Sequence, residues 1–137
     1  VQGGKDACVV FHLVRYVLYK RNLTKDYGVD NGLSILYFSN PSVEFKEITE
    51  LMDSYRRVYQ VQYLEHTGSF KEGMIDLVDR KHPAPVKAVV MGVRRGDPGT
   101  EKCDGPDAHF QPSSANWPEF MRLYPILDWT YADGTCD

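Results

Sequence analysis

Apolar residues recur at three- and four-residue spacing in three segments of the chain, a pattern that predicts amphipathic helices. The predicted helices cover residues 7–21, 43–57 and 69–80. The first ends in basic residues, which suit the negative end of a helix. Ser69 and Glu72 stand three residues apart at the start of the third, which is the spacing of a capping box. The chain therefore has local capping signals as well as helical periodicity.

Short apolar runs between these helices predict strands at residues 33–38, 58–64 and 86–92. Because helices and strands alternate, we predict an α/β fold with a parallel sheet and crossover helices. Residues 94–118 are rich in Gly, Pro, Asp and Ser and predict a long loop. Loops of this length inside a compact domain are commonly functional or disordered. Beyond it we predict a helical turn at residues 119–123 and a short strand at residues 126–129.

The composition is that of an ordinary globular protein, and the length predicts a single domain over residues 1–137. The formal net charge of -3 argues against sequence-blind nucleic-acid binding, although a few local donors still suffice for a small anionic ligand. No apolar run has the length of a membrane span, so we expect no membrane partner. The scattered Cys8, Cys103 and Cys136 have no metal-binding spacing and favour reduced thiols in a cytoplasmic protein. We expect a monomer.

A glycine-rich turn, Gly3-Gly4-Lys5-Asp6, leads directly into the first predicted helix. Such a turn brings backbone N–H groups close to phosphate oxygens, and the helix N-terminus adds a partial positive charge. Lys5 would add a full charge, and Asp6 would help to hold a magnesium ion. The alternative is an N-terminal segment without ligand, in which Asp6 serves only as the helix N-cap.

The segment GVRRGDP follows the third predicted strand, at the edge of the sheet where ligands bind in open α/β folds. Arg94 and Arg95 suit phosphate binding, and Asp97 suits metal coordination. The alternative is a solvated charged turn. In the later segment NWPEFMR, Trp117 and Phe120 either line a pocket for a flat ring or anchor the loop onto the core, and composition favours anchoring. We assign no chemistry to the scattered histidines, which are His12, His66, His82 and His109.

Four segments together resemble one family, and they are GGKDACVVFHL, ILYF, MGVRRGDP and HFQPSSANWPEFMRLYPILDWTY. The chain resembles the eukaryotic-type FAD synthases of the PAPS reductase-like group, from Gly3 to about Asp133. The resemblance implies an adenine-nucleotide alpha-hydrolase-like, Rossmann-like fold with a parallel sheet flanked by helices. It also implies adenylyl transfer with magnesium, in which the FMN phosphate attacks the α-phosphorus of ATP and yields FAD and pyrophosphate.

The resemblance also implies roles for individual residues. It assigns the loop that cradles the ATP phosphates to Gly3, Gly4, Lys5 and Asp6. It places Tyr37 and Phe38 near the adenine. It places Gly92 and Val93 at the end of a strand, on the side of the nucleotide. It assigns the catalytic phosphate and metal contacts to Arg94, Arg95 and Asp97. It assigns the flavin contacts to Ser114, Ala115, Asn116, Trp117 and Arg122. The magnesium ligands it implies are Asp6 and Asp97.

The chain departs from the family pattern at several places. The family has a central strand and a Ser-x-Asn before the glycines, so we expect the first central strand to be missing and the chain to be truncated at both ends. Gly96 stands where Thr is usual, and Ser114 stands where Asp is usual. One alternative is therefore a catalytically inactive, truncated or spliced nucleotide-binding fragment. A sulfonucleotide reductase is disfavoured, because Cys136 lacks that family's Glu-Cys-Gly-Ile-His context.

Overall fold

The computed structural model of the chain describes residues 4–21, 34–40, 42, 44–78 and 86–135. Gly3, His82 and Cys136 lie outside these ranges. The elements in chain order are α1 (Lys5–Lys20), β1 (Ser34–Ser39), α2 (Lys46–Tyr59), β2 (Gln62–Thr67), α3 (Phe70–Val78), β3 (Ala88–Val90), β4 (Phe110–Pro112), β5 (Met121–Leu123) and a 3-10 helix (Ala132–Gly134). The predicted alternation of helices and strands up to β3 is confirmed. No helix in the described ranges is long and apolar enough to cross a lipid bilayer.

The described strands form two sheets. β1 and β2 pair in parallel, from Ser34 opposite Gln62 to Ser39 opposite Thr67, and α2 is the crossover between them. In the second sheet β5 lies between β3, its parallel neighbour, and β4, its antiparallel neighbour. The predicted α/β class is thereby confirmed, and β4 adds an antiparallel edge that the alternation alone does not predict.

β5 and its flanking residues connect two hydrophobic clusters of the core. Before the strand, Phe120 packs with Leu36 of β1 and Met74 of α3. After the strand, Tyr124 and Leu127 pack with two buried residues of the long preceding segment. Met74 and Leu127 are each 0% exposed. Because the residues on both sides of β5 are buried in these clusters, the segment after residue 94 is part of the hydrophobic core.

Ser69 and Glu72 form the predicted capping box at the start of α3. The Glu72 carboxylate accepts a hydrogen bond from the Ser69 backbone N–H at 2.9 Å, and the Ser69 hydroxyl accepts one from the Glu72 N–H at 3.3 Å. These bonds satisfy donors that a helix N-terminus leaves without intrahelical partners. Hydrogen bonds from the Ser69 backbone and hydroxyl hold the pKa of Glu72 below its usual value.

Two predicted boundaries are wrong. Asp6 is not the N-cap of α1, because Gly4 holds that position in an extended conformation and Asp6 lies in the first helical turn. The second predicted strand does not begin at residue 58, because α2 continues to Tyr59. Gln60 then adopts a left-handed conformation with φ 53, which ends the helix, and β2 begins at Gln62.

The predicted helical turn at residues 119–123 is also wrong, because this segment contains β5. The Met121 N–H donates to the Lys87 carbonyl at 2.9 Å, and the Met91 N–H donates to the Leu123 carbonyl at 2.9 Å. These sheet bonds join residues about 30 positions apart. Pairing of this kind overrides a weak local preference for a helical turn.

Residues 126–129 form a turn and not the predicted strand, since the Trp129 N–H donates to the Ile126 carbonyl at 3.0 Å. The apolar run in this segment is buried in the core without sheet pairing. Within residues 94–118 the structure adds β4 to what the composition predicts as a loop. His66 lies in β2.

Candidate functional site

The N-terminus of α1 meets the chain just after β3, so the first two predicted motifs are neighbours. Gly4 precedes the first turn of α1 with φ -76 and ψ 160. Gly92 lies so close to this turn that a Cβ on it would be 2.8 Å from the Asp6 carbonyl oxygen and 3.1 Å from the Ala7 nitrogen. A side chain at position 92 would therefore separate the two segments. We call Gly4, Lys5, Asp6, Gly92 and Arg94 the helix-terminus site.

Three charged side chains converge at the helix-terminus site. Arg94 Nη2 lies 3.1 Å from Asp6 Oδ2, and Lys5 Nζ lies 4.0 Å from Asp6 Oδ1. Two of these three side chains are cations and one is a carboxylate, and the N-terminal end of α1 adds positive potential. Arg94 Nε is buried and has no hydrogen-bond partner within the described ranges. An unsatisfied buried donor is costly, so an anion at this place would stabilise the site.

Asp97 shapes the turn that follows β3. Its Oδ2 accepts a hydrogen bond from the Arg94 backbone N–H at 2.8 Å, and its own N–H donates to the Arg94 carbonyl at 3.0 Å. The Thr100 hydroxyl donates to the Asp97 carbonyl at 2.7 Å. Gly96 has φ +92, which a larger residue rarely adopts, and this allows the turn to close. Asp97 therefore fixes the backbone that carries Arg94.

Tyr131 contacts Lys5 of the helix-terminus site. The sequence reasoning did not identify this residue. Lys5 Nζ lies 3.5 Å from the centroid of the Tyr131 ring and 3.3 Å from its carbonyl oxygen. The Asp133 carboxylate holds this segment by accepting hydrogen bonds from the Thr130 N–H and hydroxyl, each at 2.7 Å. The Thr-x-x-Asp spacing is a capping signal that could have located the turn, although not its contact with Lys5.

A second feature is a pocket of about 200 Å³ beside the turn after β3. We call it the aromatic pocket, and its lining residues are Phe70, Met91, Val93, Pro98, Gly99, Thr100, Ser113, Ser114, Trp117, Phe120, Arg122 and Tyr124. Arg122 Nη2 donates to the Pro112 carbonyl at 2.8 Å, while its Nε is buried without a partner in the described part of the chain. The aromatic pocket thus combines aromatic walls with an arginine donor.

Trp117 takes both roles that its sequence context allowed. Its ring lies 5.8 Å from the Phe70 ring and packs against the core, and it also lines the aromatic pocket. A turn presents it, since its N–H donates to the Ser114 carbonyl at 3.1 Å and Asn116 has φ 66. Ala115 and Asn116 are exposed, and neither is among the residues that line the aromatic pocket in the described part of the chain.

Two further predicted site residues, Tyr37 and Phe38, lie in β1. Tyr37 is buried at 6% exposure. Phe38 packs into the core cluster beside α3, with its ring 5.2 Å from the Phe70 ring. The described wall of the aromatic pocket includes neither residue. Their assignment near the adenine therefore stays a prediction from the resemblance.

Arg95 has different partners from Arg94. Its Nε donates to the Asp128 carboxylate, and its Nη1 donates to the Cys103 carbonyl at 2.7 Å. The hydrogen bond from Arg95, and then that from His109, hold the pKa of Asp128 below its usual value. Asp128 and His109 are the other residues that the sequence reasoning missed, because they lie 33 and 14 positions after Arg95.

A magnesium ion would need ligands from outside the chain at this site. Within the described ranges, no group of three or more His, Cys, Asp and Glu side chains could hold a metal ion. Asp6 and Asp97 both contact Arg94, the first through its guanidinium and the second through its backbone N–H. One or two carboxylates together with substrate phosphates are a usual set of magnesium ligands. The residues present fit a magnesium–nucleotide complex better than a bare ion.

The fold and the site define an α/β protein in which a helix N-terminus, Lys5 and Arg94 meet at the end of a strand. No protein-family model matches the chain. Over 131 residues it is 30% identical to a probable FAD synthase of Caenorhabditis briggsae. The alignment covers 96% of this chain and 23% of that protein. Over 133 residues it is 29% identical to a probable FAD synthase of Schizosaccharomyces pombe, covering 96% of this chain and 47% of that protein.

A solved structure of Candida glabrata FMN adenylyltransferase, in complex with FMN and the ATP analogue AMPCPP, matches the chain with a TM-score of 0.71. The match has 23% sequence identity and covers 98% of this chain and 44% of that one. The predicted resemblance to the FAD synthases is confirmed by the relatives, and the α/β fold is confirmed by the solved structure. The chain spans about a quarter to a half of the length of these proteins.

Proposed function

We propose that the chain carries out the reaction of an FMN adenylyltransferase, the transfer of AMP from ATP to FMN that yields FAD and pyrophosphate. The sequence relationship to FAD synthases along 96% of the chain supports this function. The structural observation that carries it is the convergence of α1, the end of β3 and the Arg94 guanidinium at the helix-terminus site. Adenylyl transfer requires such a place, where the charge of a triphosphate is neutralised.

The ATP phosphates bind at the helix-terminus site. Backbone N–H groups in the first turn of α1 face this end of the helix, which the exposed Gly4 leaves open to phosphate oxygens, and Gly92 lets the end of β3 approach the same turn. Lys5 and Arg94 supply two positive charges. The unpaired Arg94 Nε supplies a donor that gains an acceptor when phosphate binds.

The chemistry follows from these contacts without a nucleophilic side chain. An oxygen of the FMN phosphate attacks the α-phosphorus of ATP and forms a new P–O bond. The bond from the α-phosphorus to the oxygen that bridges to the β-phosphorus breaks, and pyrophosphate leaves with the electron pair. No base is needed, because the FMN phosphate is an anion near neutral pH. Positioning and charge neutralisation by Lys5 and Arg94 lower the barrier.

The flavin binds at the aromatic pocket. Trp117, Phe70 and Tyr124 offer flat apolar surfaces that suit stacking or edge contacts with an isoalloxazine ring. Arg122 offers a buried donor without a partner in the described ranges, which suits a flavin carbonyl or the FMN phosphate. The volume of about 200 Å³ is below the roughly 300–1,000 Å³ of typical ligand sites, so the pocket holds only part of FMN.

Magnesium would be held by Asp6 or Asp97 together with the ATP phosphates. When bound, it supplies charge neutralisation on the leaving pyrophosphate. Asp6 must then share its carboxylate with Arg94, whereas the Asp97 carboxylate accepts a hydrogen bond from the Arg94 N–H through its Oδ2. We further propose that residues 1–137 belong to one domain, and that the protein is monomeric and cytoplasmic, with neither nucleic acid nor membrane as a partner.

The test is to incubate the chain with FMN, ATP and Mg²⁺ and to separate the flavins by chromatography. We expect FAD and pyrophosphate in equal amounts, and a loss of about 100-fold in rate for Arg94→Ala, as for removal of other charge-stabilising donors. Arg57→Ala is the matched control, because Arg57 is exposed on α2 outside both sites. No FAD at high protein concentration contradicts the proposal. If ATP still raises Tm in that case, the chain is a nucleotide-binding fragment without catalysis.

A further inference from the structure

The adjacent arginines after β3 occupy different surroundings. The guanidinium of Arg94 faces Asp6 at 3.1 Å and lies 5.9 Å from the Tyr131 ring centroid. The guanidinium of Arg95 is engaged on two edges, by Asp128 and by the Cys103 carbonyl. Acceptors within the protein thus hold the Nε and the Nη1 of this guanidinium, which fixes its orientation. The two arginines therefore serve different purposes.

His109 completes the network around Arg95. Its Nδ1 lies 2.7 Å from the Tyr124 carbonyl oxygen, and its Nε2 lies 3.0 Å from Asp128 Oδ2. The ring therefore joins the Tyr124 carbonyl to the Asp128 carboxylate. Asp128 in turn joins His109 to Arg95, since its Oδ1 accepts a hydrogen bond from Arg95 and its Oδ2 lies beside His109 Nε2.

The network is attached to one wall of the aromatic pocket. Tyr124, whose carbonyl contacts His109, is one of the residues that line the pocket. Cys103, whose carbonyl holds Arg95, is 2% exposed and packs in the cluster that includes Tyr124, with Met91 and Val93 against it. Met91 and Val93 also line the pocket. The Arg95 backbone belongs to the same construction, since its N–H donates to the Leu127 carbonyl at 2.8 Å.

We infer that Arg95 is a positioning residue, which acts through Asp128 and His109 to fix the Tyr124 wall of the aromatic pocket, and that of the two arginines only Arg94 contacts the nucleotide. The inference rests on the proposed function in naming FMN as the ligand of that pocket. It separates two residues that the motif presents as equivalent. Loss of the network loosens the wall and weakens FMN binding, while the phosphate contacts at the helix-terminus site stay in place.

The test compares Arg95→Lys, Asp128→Asn and the double variant with Arg94→Lys. For the first two we expect Kd and KM for FMN to rise about tenfold, with kcat and KM for ATP within about twofold of the wild type. The double variant is expected to be no weaker than either single variant, because both changes break one network. Arg94→Lys is expected to lower kcat instead. A fall in kcat with unchanged FMN affinity in Arg95→Lys, or additive effects in the double variant, overturns the inference.

Two measurements keep this test separate from the proposed function. FMN affinity is read from flavin fluorescence in the absence of ATP, so it does not depend on turnover. If the wild-type chain does not bind FMN, the proposed function fails, and the network is read from the imidazole nitrogen-15 shifts of His109 in the free chain near neutral pH. We expect the Nε2 shift of His109 to move in Asp128→Asn and, through Asp128, in Arg95→Lys. Unchanged shifts in both variants overturn the inference.

Discussion

Gly92→Ala is the substitution that most sharply tests the approach of α1 to the end of β3. The new Cβ would lie 2.8 Å from the Asp6 carbonyl oxygen and 2.9 Å from the Asp6 carbonyl carbon. Ordinary contacts between such atoms begin near 3.5 Å, so the two segments must separate by about 0.7 Å. Both sides of this contact are backbone, and neither can turn away as the end of a long side chain would.

The expected effect is a loss of both stability and nucleotide binding. Overpacking of this kind costs about 1–3 kcal/mol, whereas replacing glycine by alanine gains only about 0.4–1 kcal/mol through the unfolded chain. The clash therefore outweighs the gain, and Tm falls by roughly 3–10 °C. A displacement of about 0.7 Å between Lys5 and Arg94 is also expected to slow adenylyl transfer by about tenfold.

Gly134→Ala is the matched control for this experiment. A Cβ at Gly134 meets Asp6 Oδ1 at 3.4 Å and Lys5 Nζ at 3.6 Å, which are ordinary contacts with the ends of side chains. We expect its stability to stay within about 0.5 kcal/mol of the wild type. Thermal unfolding with and without MgATP measures both variants. If Gly92→Ala unfolds at the wild-type temperature and keeps its full stabilisation by MgATP, the close approach of the two segments is wrong.

Three further predictions concern stability. Met74→Ala empties a site that is 0% exposed and lowers the free energy of unfolding by about 2–5 kcal/mol in urea titrations, and a cost below about 1 kcal/mol contradicts the packing. Ser69→Ala removes the α3 cap and costs about 1 kcal/mol in the same assay, whereas no change would mean that the capping box is not formed in solution. Burial, and then Arg15, lower the pKa of His12 from 6.5, so the folded state favours the neutral ring. This stability is complete above about pH 6.5 and is lost as the pH falls through the lowered pKa, and His12→Gln should remove that pH dependence from the Tm.

Local signals in the sequence suffice for the helices and for the first parallel pair. The periodicity of α1 and the Ser69–Glu72 box depend on residues within a few positions of one another, so the sequence displays them directly. β1 and β2 follow from apolar runs on either side of an amphipathic helix. Right-handed crossover geometry then makes parallel pairing the expected result.

β5 could not be predicted in this way, because its three residues become a strand only through distant partners. Met121 bonds to Lys87 on one side, and Gln111 of β4 pairs with Arg122 on the other. A strand of this length has little preference of its own. The apolar residues Ile126 and Leu127 suggested a strand, but they are buried within a turn.

The sequence indicated the motifs of the candidate site, but not the residues that contact them. The rule that ligands bind beyond the carboxyl ends of strands indicated Arg94 and Asp97. In the structure the Arg94 guanidinium contacts Asp6 of α1, and the Asp97 carboxylate accepts a hydrogen bond from the Arg94 backbone N–H. The different surroundings of Arg95 could not be read from the motif. They depend on Asp128 and His109, and the contact of Lys5 with Tyr131 spans 126 positions.

The most direct measurement of the proposed reaction follows the isotopic label of ATP. The chain is incubated with FMN, Mg²⁺ and ATP labelled with phosphorus-32 at either the α- or the γ-position, and the flavins and pyrophosphate are separated. We expect the α-label in FAD and the γ-label in pyrophosphate, with Arg94→Ala depressing both and Arg57→Ala depressing neither. Label that enters no flavin, or γ-label released as free phosphate, contradicts adenylyl transfer to FMN by this chain.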